Sequence, residues 1–268
     1  MTTQTAMSVT YGVIAIVLGA MGAGNRRGDV AGRPGASGVD KVFGVFNSLG
    51  NVAFAFSAAI VTMEVTHTLR EPPRAAVSMR KSIGAAMSTA FTLYSLVAIL
   101  GYAALGPDTP DDVLVGFEKV NFAPVWLAML ANAAVLLHMV AAVQTYAQPI
   151  FEWIEDRLLM RFPKAIGRVP PFVFRFLLRT PLMVLATVVA IFLPAFGAIT
   201  GLVGAATYWP TAVFYPLLCY RRSHEVSRRR SVLFNGINVA LGCISVVAVA
   251  GSIQALVQVA RAGSAPAG

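Results

Sequence analysis

The chain has 268 residues, of which 57% are hydrophobic and 12% charged, with a mean hydropathy of +0.70. Soluble globular domains run at about 45–50% apolar and about 25% charged, so a water-soluble fold is excluded, as are collagen-like, disordered and disulfide-scaffold classes. The net charge of +9 is no nucleic-acid signal, because the basic residues sit in short clusters between apolar runs, the pattern of loops flanking membrane spans.

A helix crosses a bilayer with about 20 predominantly apolar residues, and lipid leaves the backbone no other partner than its own helix. Seven runs qualify: about 6–24, 42–66, 83–105, 125–150, 180–196, 198–220 and 232–260. The expected fold class is all-α integral membrane, with about seven transmembrane helices.

The first run follows Met1–Thr5, which carries no positive charge, so it reads as a span and not as a signal peptide. In the second, Asn47, Gly50 and Asn51 share one face, and the small residues Ser57, Ala58 and Ala59 follow at mid-depth. Composition alone reads that patch as close packing rather than as an unwinding point. Glu64 then lies near the inner end, just before His67. A carboxylate inside a span is costly and faces a cavity or a partner, which makes Glu64 a functional candidate. The plainer alternative is an interfacial Glu that caps the helix.

The fourth run places Ala131, Ala134, His138, Ala141, Thr145 and Gln148 on one small-and-polar stripe, with Asn132 and Gln144 off it. Such a stripe admits a close neighbour or lines a polar route. His138 by itself reads first as a hydrogen-bonded core residue. Pro149 is expected to end or kink this helix. The fifth and sixth runs abut around Phe196–Thr200, where Gly197, Gly201 and Gly204 form a small-residue packing motif. Trp126, Tyr208, Trp209 and Tyr215 are ordinary membrane aromatics. Cys219 and Cys243 lie in apolar runs and read as small hydrophobes.

Orientation follows from the loops. Thr66–Ser82 carries four basic residues, Phe151–Arg179 six and Arg221–Ser231 five, which assigns these three to the cytoplasm. Leu105–Pro124 has one Lys against four acids; Ala23–Lys41, with four basic residues, is the exception. The runs Arg221–Arg222 and Arg228–Arg230 could hold anionic headgroups, though setting topology is sufficient reason for them. The sequence contains no G-x-S-x-G, H-E-x-x-H, P-loop or dinucleotide fingerprint and no His/Cys set at ligand spacing. Neither an enzyme, nor a metal site, nor a cofactor is expected.

The succession LGNVAFAFS…MEVTHTLREPP, GYAALG, ANAAVLLHMVAAVQTYAQPIF, then FRFLLRT…FLPAFGAITGLVGAATYWPTAVFYP resembles the plant-type amino acid/auxin permease family. It is most similar to the amino acid permease and lysine/histidine transporter branches, over about Met7 to Ala260. The resemblance implies proton-coupled amino acid symport by about eleven spans, built like the bacterial leucine transporter as two inverted five-helix repeats. It aligns Met7–Met21 with span five, so the chain would hold spans five to eleven and lack the first four. It also implies an unwound segment in span six. Phe56, Ser57 and Ala58 would then bind substrate together with His138, and Glu64 would serve the inner gate or the proton route. A zwitterionic substrate held from one side only lacks partners. Two readings follow: the C-terminal portion of a proton-coupled carrier, or a non-transporting fragment that assembles with or regulates a full-length carrier. The expected partners are an amino acid, a proton, the lipid bilayer, and a full-length carrier or a further copy; no nucleic acid is expected. The expected location is multi-pass in the plasma membrane rather than an endomembrane.

Overall fold

The structure, a computed structural model, describes residues 2–24, 28, 35, 37–58, 62, 65, 66, 69, 74–120, 124–192 and 195–263. All regular structure among them is helical: α1 (Thr2–Ala23), α2 (Gly38–Ala55), α3 (Ala75–Leu105), α4 (Val113–Val120), α5 (Val125–Arg161), α6 (Pro163–Ile166), α7 (Pro171–Phe192), α8 (Phe196–Tyr208), α9 (Tyr215–Ser223) and α10 (Arg228–Gly263). A 3₁₀ turn, Gly106–Asp108, follows α3, and a π-helical turn, Trp209–Phe214, joins α8 to α9. Six stretches among the described residues are long and apolar enough to cross a membrane: Thr5–Ala23, Ala75–Leu105, Val125–Arg161, Pro171–Phe192, Phe196–Ser223 and Arg228–Arg261.

The run expected over 42–66 is interrupted where the resemblance implies an unwound segment: α2 stops at Ala55 after 18 residues. The cause is local. The Ser57 hydroxyl and amide both donate to the Phe54 carbonyl, at 2.7 and 3.1 Å, a side-chain competition that draws the backbone out of the helical ladder. Phe56 accordingly has φ −103° and ψ 9°, between the helical and extended regions. Pro149 does not end α5, which continues to Arg161. A proline removes a single ladder bond, and the polar turns beyond it carry the helix on. α7 starts at Pro171 rather than near 180; proline is well suited to a first helical position because its missing N–H would be unpaired there anyway.

The chain divides into two compact units, Met1–Asp29 with Leu93–Pro194, and Val30–Thr92 with Ala195–Gly268. In the first, α1 lies along α5. Its core gathers Ile14, Ala15 and Leu18 of α1, Ala104 and Leu105 of α3, Leu114 and Phe117 of α4, and Ala131 of α5. Gly19 is required there: a Cβ on it would meet the Leu100 side chain at 2.9 Å. In the second unit, α2, α8 and α10 pack against one another. The expected glycine motif lies in this seam. A Cβ on Gly204 would strike the Gly50 carbonyl, and one on Gly50 would strike the Gly201 carbonyl. Small residues are what allow membrane helices to approach backbone to backbone. Thr200 also donates to the Asn51 side-chain oxygen at 2.6 Å.

Candidate functional site

In the second unit, the end of α2 opens onto a cavity of about 270 Å³. Leu49, Val52 and Phe56 form one wall, Tyr208 a second, and Leu241 and Ser245 a third. Phe56, Ser57 and Ala58 are all half-buried. Phe56 lines the cavity, while the Ser57 hydroxyl is turned back onto Phe54. The Ala58 carbonyl accepts from both the amide and the hydroxyl of Thr62, at 3.0 and 2.7 Å. Among the described residues of the interruption, the Phe56, Ser57 and Ala58 amides are all paired within the segment. The Ser245 hydroxyl on the wall donates to the Ala205 carbonyl.

The π-helical turn begins one residue after Tyr208. Pro210 supplies no N–H there, which disrupts the regular ladder. Trp209 anchors the turn, donating its indole N–H to the Asn238 side-chain oxygen and carbonyl at 3.0 and 3.1 Å. Gly242 gives that indole room, since a Cβ there would lie 3.2 Å from the ring.

In the first unit, the stripe on α5 faces protein. Ala131 and Ala134 are buried, and His138, Ala141, Thr145 and Gln148 are half-buried, while the off-stripe Asn132 and Gln144 are exposed. His138 meets α1: its Nδ1 is 2.8 Å from the Ser8 hydroxyl, and Tyr11 packs edge-on at 5.5 Å between ring centroids. The lower end of the same helix carries a buried carboxylate. Arg179 of α7 donates to Glu155 from Nε and Nη2 at 3.0 and 2.7 Å, and Arg175 approaches its other oxygen at 3.3 Å. Arg179 also donates to Gln148 at 3.3 Å and lies over the Phe151 ring at 5.1 Å.

Phe56, Ser57 and Ala58 belong to one unit and His138 to the other. Glu64 lies outside the described residues, as do His67 and Ala59. Sequence reasoning missed Ser8, Tyr11, Tyr208 and the Glu155–Arg179 pair. Glu155 was legible in principle as an acid facing Arg175 and Arg179 across a connection, but the loop expected over 151–179 hid the fact that both sides are helical. Among the described residues, no group of three His, Cys, Asp or Glu side chains could hold a metal ion.

Spanning-length apolar helices around small-residue seams define an all-α integral membrane protein that crosses the bilayer several times. The family model described as transmembrane amino acid transporter protein matches residues 2–258, and the chain belongs to that family, one of transporters and not of enzymes. The chain is similar to Amino acid permease 4 of Arabidopsis thaliana, 33% identical over 264 residues, which is 91% of this chain and 56% of the relative. It is also similar to Amino acid permease 2, 34% identical over 268 residues (92% and 54%), and to Lysine histidine transporter-like 6, 30% identical over 213 residues (78% and 46%), both from the same plant. The chain spans about half the length of the curated relatives it matches. No solved structure matches it significantly.

Proposed function

We propose that the chain is the span-five-to-eleven portion of a proton-coupled amino acid symporter of the plasma membrane. The observation that carries this reading is the interruption at Phe56–Ala58 beside a cavity, within a family of amino acid transporters. Non-helical backbone at membrane depth is tolerated only where it is buried in protein or lines a cavity, and in transporters such breaks mark the binding site. In this reading Phe56, Ser57 and Ala58 meet the amino acid, His138 of α5 influences substrate preference, and Glu64 serves the inner gate or the proton route. A carboxylate in a span-forming run is costly to leave unpartnered and so faces a cavity or a partner, which suits it to a gate or a proton route.

The half-length match favours one second reading: the chain assembles with, or regulates, a longer carrier. One experiment separates the two. The chain is expressed in cells deficient in amino acid uptake, alone and together with a polypeptide carrying the first four spans of a matched relative, and uptake of labelled amino acids is followed with and without an inward proton gradient. The symporter reading expects gradient-driven accumulation when the two pieces are co-expressed, lost in Glu64→Gln but kept in Glu71→Gln. Uptake indifferent to the gradient overturns the proton coupling. No uptake with the four-span piece, but altered uptake by a co-expressed full-length permease, selects the regulatory reading.

A further inference from the structure

We propose that the α9–α10 junction binds the phosphodiester of an anionic phospholipid headgroup. The Phe196–Ser223 and Arg228–Arg261 stretches are both of spanning length, and only residues 224–227 connect them. Their facing ends therefore lie at one membrane–water boundary, the depth at which headgroup phosphates sit. A cavity of about 490 Å³ opens there, lined by Arg221, Arg222, His224 and Ser231, with Glu225 the one acid on its wall.

The charge at this junction is unbalanced. Arg221 and Arg222 end α9 and Arg228, Arg229 and Arg230 open α10, against the single Glu225. Neither of the Glu155 ion pairs involves these five arginines. Arg221 is already fixed in place, its Nη2 donating to the Ser231 carbonyl at 3.0 Å and the Asn235 side chain at 2.8 Å. Its Nε, by contrast, is buried with no hydrogen-bond partner. A buried guanidinium N–H without an acceptor is costly, so Arg221 gains from a small side-chain shift that brings its Nε to an anionic oxygen in the cavity. The first backbone amides of α10 add to the attraction, since they have no acceptor within their own helix and sit at its positive end. Tyr220, stacked on His224 at 4.4 Å and edge-on to Phe234 at 5.9 Å, offers an amphipathic ring at the level of the headgroups.

The test uses the 268-residue chain in detergent micelles doped with phosphatidylglycerol or phosphatidylcholine at equal mole fraction, with retained lipid counted by native mass spectrometry. The expectation is preferential retention of phosphatidylglycerol. Removing exposed charges with Arg222→Gln, Arg229→Gln and Arg230→Gln together should weaken it on the order of a hundredfold, at about fivefold per charge. The matched triple Arg157→Gln, Arg161→Gln and Arg168→Gln, in the other basic cluster, should weaken it less than tenfold. If the first triple fails to fold by circular dichroism, Arg222→Gln alone should still show the roughly fivefold loss. Equal retention of both lipids, or equal loss in the two triples, overturns the proposal. Inorganic phosphate at constant ionic strength should displace no more lipid than chloride does; displacement specific to phosphate overturns the lipid assignment in favour of a soluble phosphate.

Discussion

Glu155 is a single carboxylate serving two guanidinium groups, and its neighbours differ in exposure: its own side chain is 10% accessible, Arg179's 27% and Arg175's 60%. Removing one partner of a buried pair strands the other, whereas an exposed partner is already solvated. Glu155→Ala is therefore expected to destabilise the chain by about 3 kcal/mol and Arg175→Ala by less than about 1 kcal/mol, measured by reversible unfolding in mixed micelles. The reverse ranking would mean that Arg175, not the buried carboxylate, organises the pair. The contact between His138 and Ser8 is open to a sharper measurement. A double-mutant cycle of Ser8→Ala with His138→Ala should give a coupling of about 0.6 kcal/mol, the average for hydrogen bonds between membrane helices. Zero coupling would remove Ser8 as the partner of His138.

Among the helices, close approach decides which glycines matter. Gly50→Ala and Gly204→Ala each push a methyl into the backbone of the neighbouring helix, whereas Gly44→Ala and Gly236→Ala point into open space. The first two should each cost about 1–3 kcal/mol, as overpacking does, and the last two should be neutral or stabilising because alanine is the better helix former. Thermal unfolding of the four variants side by side checks the division; equal effects would remove the seam between α2 and α8. The sequence made this seam half legible: Gly197 and Gly201 stand out at four-residue motif spacing with Gly204 three further on, but nothing in the chain names Gly50 as their counterpart. The spans themselves were legible because lipid enforces apolar runs. Their ends were not. α5 runs eleven residues past Ile150 and α7 starts before the expected residue 180, because hydropathy records the apolar part of a helix and not its solvated turns. For the same reason Arg175 and Arg179, expected in a loop, stand on α7 beside Glu155. The stripe around His138 was legible from helical periodicity alone; Ser8 and Tyr11, about 130 positions earlier, leave no local mark on that pattern.

For the whole molecule, the basic clusters fix an expected topology that labelling can read. In a background with Cys219 and Cys243 replaced, single cysteines at Arg74, Arg168 and Ser227 should react from the same side of the membrane, and one at Thr109 from the other. Any two of the first three reacting from opposite faces would overturn the orientation. The pairing of Asn51 with Thr200 crosses 149 positions of chain, and this has a consequence for biosynthesis. The unit containing α1 and α5 is complete once Pro194 has been made, whereas α2 belongs to the unit that closes only with α8 and α10. At about 5–20 residues per second, Asn51 waits roughly 7–30 s for its hydroxyl partner. During that interval an 18-residue helix bearing two side-chain amides lacks the α8 and α10 surfaces it packs against among the described residues, so the emerging chain is served by a sheltered place for α2, at the insertion machinery rather than in open lipid, until its C-terminal half arrives.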